Sequence, residues 1–264
     1  MPKEVRPTEY AIRVTPDLEK LTFTGSETVK FKAEKPVSKI VLNALELEIA
    51  SASVDGQALP KKAIALNAGE QTLTLTLPNE MAAGEHELAL KFSGKINAQG
   101  QGLFFARYQE EGTDQKKIML GTQFEPTDAR RMFPCWDEPS FRAKFQLTAV
   151  VPEKFMAVSN MPVEAETKGE GGKEVRFGLS PSMSSYLVVL CAGELDSIEM
   201  EQDGVKLRVV TTKGKAEMGR YALESGAKIL HYFNEYFGVP YPLPKLDLIA
   251  IPGGFGGAME NWGG

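Results

Sequence analysis

Two short segments hold residue types whose spacing could do chemistry on a peptide. At 252–263 the chain reads Pro252, Gly253, Gly254, Phe255, Gly256, Gly257, Ala258, Met259, Glu260, Asn261, Trp262, Gly263. Gly253, Gly254, Gly256 and Gly257 let another backbone approach closely, because no Cβ stands in the way. Gly257, Ala258 and Met259 can offer an unpaired strand edge to an extended peptide, and Glu260 then falls where that peptide starts. A carboxylate there pairs with a free α-amino group, a charge-assisted contact of about 1.5–3 kcal/mol. On residue chemistry alone, a glycine-rich loop that closes the fold, with Glu260 solvated, is the competing reading.

The second segment, 122–139, runs from Thr122, Gln123, Phe124 and Glu125 to Cys135, Trp136, Asp137, Glu138 and Pro139. It is polar, yet it interrupts a β-rich region without the look of a simple turn. Gln123 and Glu125 share a face if this piece is extended. Asp128, Arg130 and Arg131 can form ion pairs that fix the loop, or can touch a substrate; the structural network is the expected role.

The elements that must position these segments are mostly strands. Leu73, Leu75 and Leu77 alternate with threonines, and 87–92 repeats the pattern after a turn at 81–84. Period-2 pairs recur at Ile12/Val14, Val29/Phe31, Phe145/Leu147 and Val175/Phe177/Leu179, with turn signals at Asp55-Gly56, Ala68-Gly69 and 168–173. Short alternating strands punctuated this way indicate packed antiparallel sheets. The period changes late. After a strand at 205–211, residues 215–237 turn helical, with Ala222, Gly226, Ile229, Leu230, Phe233 and Phe237 on one stripe. Gly238 and Pro240 stop the helix, and 246–251 reads as a buried strand. The switch predicts a boundary near Gly193-Glu194, with 1–193 as an all-β unit and 194–264 as the start of something larger.

Composition narrows the partners. With 30 Lys and Arg against 35 Asp and Glu, the net charge of −5 argues against nucleic acid. No apolar run reaches the roughly 18 residues of a membrane span, and the first residues lack a secretory core. Of the two cysteines, Cys191 closes the apolar run 186–191, where a buried free thiol is expected. The spacing implies no disulfide framework, and a reducing cytoplasm is the expected location.

Together the two segments resemble the paired signatures of M1-family zinc aminopeptidases, the gluzincins. Gly257 to Asn261 is similar to the GAMEN exopeptidase motif, and 122–139 resembles a Thr-Gln-x-Glu stretch leading to a Cys-x-Asp-Glu-Pro turn. The resemblance covers essentially the whole chain. It implies a saddle-like antiparallel β-domain over 1–193, followed at 194–264 by the first α/β elements of a thermolysin-like catalytic domain. It also implies that Glu260 and Glu125 jointly bind the substrate's N-terminal ammonium. Gln123 lines the pocket for the first side chain, and Gly256, without a side chain, leaves that pocket roomy. Gly257, Ala258 and Met259 complete the substrate-binding set, with backbone groups of the first two holding the peptide near the scissile bond.

Such enzymes use zinc to polarise the carbonyl and activate water, held by a helical His-Glu-x-x-His and a later glutamate. His86 and Glu87 begin like that motif, but Leu90 ends it, and the alternation reads as a strand. His231 and Glu235 have i,i+4 spacing without an apparent third ligand. The oxyanion tyrosine is expected beyond this chain as well. The chain is therefore expected to carry no catalytic residues or metal ligands. By this reading it supplies the amino-group recognition part of a cytoplasmic metalloaminopeptidase and is inactive without its missing catalytic half. Its partners are then peptides with free N-termini, with no nucleic acid and no membrane. Two other readings stay open: a non-catalytic β-rich module binding peptide N-termini or a protein partner, and a plain structural domain.

Overall fold

The structure, a computed structural model, describes residues 1–110, 112–169, 171–253 and 256–264. It is mainly β, as the alternation indicates. The largest sheet, nine strands among the described residues, runs Val163–Gly169, Gly172–Phe177, Arg142–Val151, Val5–Asp17, Thr22–Ala33, Gly84–Lys95, Leu47–Val54, Gln57–Ala58; Met183–Ser184 pairs off this path with Arg142–Val151. Its inward face presents Ile12, Val29, Phe31, Leu88 and Leu90, all almost fully buried. Against it lies a smaller sheet of Val37–Asn43, Thr72–Met81 and Ile64–Asn67. There Leu73, Leu75 and Leu77 are buried as their parity requires. Each such side chain contributes about 1.5–3 kcal/mol of burial.

One pairing departs from the all-antiparallel expectation. Val5–Asp17 and Arg142–Val151 run parallel, Tyr10 opposite Phe145 and Ile12 opposite Leu147. Parallel neighbours need a long connection, and everything from 18 to 141 serves as one. Alternation reports which face a residue occupies and says nothing of strand direction.

A four-stranded sheet of Met156–Ser159, Leu190–Gly193, Lys116–Gln123 and Gly102–Gln109 follows. Leu190–Gly193 leads directly into Leu195–Gln202, the first strand of another sheet, with Val205–Thr212 in the middle and Lys245–Ile249 parallel to it. The helix Arg220–Phe237 crosses over this sheet and ends at Gly238, whose φ of 64° is the left-handed stop that glycine permits. The hairpin read at 168–173 pairs Val163–Gly169 with Gly172–Phe177, while Glu170 lies outside the described residues. Leu179, read as a strand residue, stands beyond that strand and is exposed.

The helix's apolar stripe needs correction. The sheet covers Leu223, Ala227 and Leu230, whereas Ile229, Phe233 and Phe237 of the expected stripe remain exposed. Apolar residues occupy more than one face here, and periodicity alone does not say which face the sheet takes.

Candidate functional site

Strand Lys116–Gln123 is buried on both faces from Met119 to Thr122, and Phe124, just past its end, lies fully in the core. That burial turns the chain, so Glu125 emerges exposed while Gln123 stays half-buried beneath it. The Gln123 amide Nε2 donates to the Met259 thioether Sδ at 3.5 Å. Its Oε1 is buried without a hydrogen-bond partner among the described residues. Met259 packs on the main core. Gly256, Gly257, Ala258 and Glu260 are exposed. Residues 256–260 make no backbone hydrogen bond to other described residues. The structure thus brings the two predicted segments together through Gln123 and Met259. Both carboxylates, Glu125 and Glu260, are at the surface without an ion-pair partner among the described residues. Gly254, also singled out, lies outside the described residues.

Behind this junction is a groove of about 630 Å³. Thr122, Gln123, Cys191, Ile251, Ala258 and Met259 are among the residues that line it. Burial pushes the Cys191 thiol up to about 12, so it is a small apolar wall and not a thiolate nucleophile.

The tail beyond Glu260 is held by buried polar groups that the sequence did not flag. Lys245, 3% exposed, donates through Nζ to the Gly263 carbonyl and to Asp247 at 2.7 Å. Burial pulls the Lys245 ammonium down, and the Asp247 carboxylate opposes that. Arg208 clamps Asp247 from the other side with two bonds of 2.7 Å. The Asn160 amide donates to the Trp262 carbonyl at 2.9 Å.

The loop 122–139 is fixed by ion pairs, in the structural role expected for it. Arg130 Nε donates to Asp137 at 2.9 Å with both groups buried. Arg131 bridges Asp128 at 2.7 Å and Glu46 at 2.6 Å. These contacts tie Asp128, Arg130 and Arg131 to their own loop and to Glu46 and Gln71 of neighbouring segments.

The described residues do not fit a zinc ion. Among the described residues no three His, Cys, Asp or Glu side chains gather as a ligand set. His86 sits in strand Gly84–Lys95, Nδ1 at 2.7 Å from Asp55 and Nε2 at 3.0 Å from the Ala82 carbonyl. His231 lies against Asp203 at 3.0 Å on the exposed helix. No helix among the described residues is long and apolar enough to cross a membrane.

Comparison with known proteins adds a second line of observation. Residues 6–187 match the family model described as the peptidase M1 N-terminal domain, and 221–264 match the peptidase family M1 domain. Aminopeptidase N of Acetobacter pasteurianus is 43% identical over 265 residues, covering 100% of this chain and 74% of that protein. Aminopeptidase M1-C of Oryza sativa subsp. japonica is 42% identical over 264 residues, covering 100% of this chain and 30% of that protein. The puromycin-sensitive aminopeptidase of Caenorhabditis elegans is 39% identical over 270 residues, with 100% and 28% covered. The chain therefore spans about a third or less of the rice and nematode proteins' length.

Proposed function

The chain belongs to peptidase family M1, and from that premise we propose that it supplies the part of a zinc aminopeptidase that recognises a peptide's free N-terminus. Glu260 and Glu125 are the carboxylates that receive the α-ammonium. Gln123 lines the pocket for the first side chain. Gly256 leaves that pocket open, while the unpaired backbone of Gly257, Ala258 and Met259 takes the extended peptide by strand addition. The observation that supports this most is the Gln123–Met259 contact, which sets the Glu125 and Glu260 segments side by side at the groove.

Each residue has a distinct task. Two carboxylates on one ammonium share its donors, and a single-charge ligand suits them only if the amine is protonated and unblocked. The groove walls, mostly apolar around Cys191, Ile251 and Met259, exclude water from the first side chain. Zinc supplies Lewis-acid and water-activating chemistry in this family's catalysis, and the described residues of this chain gather no ligand set for it. Hydrolysis is accordingly assigned to a larger catalytic assembly, and the chain is proposed to be inactive alone.

That assembly has a candidate seat. Ile229, Phe233 and Phe237 line an apolar groove of about 610 Å³ with Val239 and Leu246. Contiguous exposed apolar side chains of this kind mark a partner surface. We assign it to the rest of a catalytic domain, in a protein working in the cytoplasm, where the buried thiols Cys135 and Cys191 stay reduced.

Calorimetric titration of the chain with leucinamide and with N-acetyl-leucinamide tests the recognition role. Binding of the first and none of the second is expected. Equal binding of both, or of neither, refutes an ammonium site.

A further inference from the structure

The two recognition segments lie 136 residues apart in sequence, so something must hold them in register. Both rest on the same short stretch of backbone, 187–190. Thr122 Oγ1 accepts from the Leu190 N–H at 2.9 Å, fixing the residue next to Gln123. On the other side stands Asn160, 4% exposed, just past strand Met156–Ser159. Its Nδ2 donates to the Leu187 carbonyl at 2.7 Å and to the Trp262 carbonyl at 2.9 Å, and its Oδ1 accepts from the Val189 N–H at 3.0 Å. One amide thus spends both donor hydrogens and its acceptor on two chain segments, 187–189 and the tail at Trp262. Trp262 is two residues from Glu260.

The contact is close as well as polar. A Cβ added to Gly263, whose φ is 77°, would stand 2.3 Å from the Asn160 carbonyl oxygen. The tail therefore lies flat on Asn160, and only glycine fits there. Next to it the Arg142 guanidinium covers the Trp262 ring, 5.6 Å from the centroid.

We infer that Asn160 is the positioning residue for Glu260: it sets the exopeptidase segment on the same 187–190 backbone that carries Thr122, and so fixes the spacing between Glu260 and Gln123. The assignment of a ligand to Glu260 rests on the function proposed above; the anchoring itself does not. An asparagine suits the task because a neutral amide donates to two carbonyls and accepts from an N–H in one plane. An aspartate keeps the acceptor and sets a negative charge against both carbonyls.

The test uses the full chain and two variants. Asn160→Asp removes the donors. Gly263→Ala pushes the tail off the Asn160 carbonyl without altering the amide, and because it lies in the tail it carries the test alone should Asn160→Asp fail to fold. Of the two tryptophans, Trp136 is 1% exposed and Trp262 37%, so acrylamide quenching of fluorescence reports on Trp262. Quenching is expected to rise in both variants, and leucinamide binding to weaken roughly tenfold, the scale of one lost charge-assisted contact. In a Glu260→Ala background neither variant should weaken binding further, because both act through that carboxylate. Unchanged Trp262 quenching in folded variants overturns the proposal, whether or not leucinamide binds. Raised quenching with undiminished affinity, or with losses that add to that of Glu260→Ala, overturns it too. Raised quenching in a chain whose wild type binds no leucinamide supports the anchoring and refutes the ammonium site instead.

Discussion

The Gln123 amide donates to the Met259 thioether at 3.5 Å across 136 residues of sequence. A thioether is a weak acceptor, so the contact's worth lies in packing and registration more than in hydrogen-bond energy. It places a half-buried amide beside a glycine-rich segment whose backbone is unpaired, and an exposed carboxylate follows on each side. That juxtaposition motivates the first prediction.

Glu260→Ala is expected to weaken leucinamide binding by about 1.5–3 kcal/mol, one to two orders of magnitude. Glu260→Gln should lose most of this as well, since the charge pairs with the ammonium. In an intact enzyme the same loss should appear in kcat/KM for aminoacyl substrates. Near-wild-type affinity in both variants would make Glu260 a solvated loop residue.

Asp137 is 2% exposed and receives Arg130 Nε at 2.9 Å and the Ser185 hydroxyl at 2.6 Å. Asp137→Ala leaves the Arg130 guanidinium buried without its carboxylate, and such a broken pair costs about 3–5 kcal/mol. The urea midpoint should fall accordingly with the slope unchanged. A loss below about 1 kcal/mol, the range of exposed pairs, would show that water reaches Arg130 freely.

Glu27 faces inward on strand Thr22–Ala33, and neither carboxyl oxygen has a hydrogen-bond partner among the described residues. Burial pushes its carboxyl well above the usual carboxylate range. The folded chain keeps a proton that the unfolded chain releases near its ordinary value of about 4.3. Above that pH the unfolded state binds fewer protons, so this contribution to stability declines as pH rises towards the folded value. Urea midpoints of Glu27→Gln relative to wild type should therefore rise as the pH is raised above about 4.3. A pH-independent difference would mean that Glu27 ionises normally.

Ile229 and Phe233 are 52% and 48% exposed on the helix. Replacing both with lysine should change stability by no more than about 0.5 kcal/mol per site, as expected for surface positions. Sedimentation velocity should show less self-association than wild type, because an apolar patch becomes charged. Amide exchange in the wild type should be slow before Gly193 and faster after Glu194. Uniformly slow exchange to Gly264 in a monomer would contradict both the boundary and the proposed partner surface.

Much of this molecule was legible from residue order. Parity in 72–77 determined which leucines are buried, and Gly238 marked the helix end. These are local matters, governed by side-chain period and backbone freedom over a few residues.

Only the tertiary structure decided what lies far apart in sequence. Parity cannot specify direction, so the parallel pairing of Val5–Asp17 with Arg142–Val151 emerged only from the assembled sheet. The helix buried Leu223, Ala227 and Leu230 because the sheet beneath selects among several apolar faces. Asn160 and Lys245 carry no motif, and their hold on Trp262 and Gly263 spans 102 and 18 residues. A buried amide or ammonium must find partners wherever the fold supplies them, and that requirement has no signature along the chain.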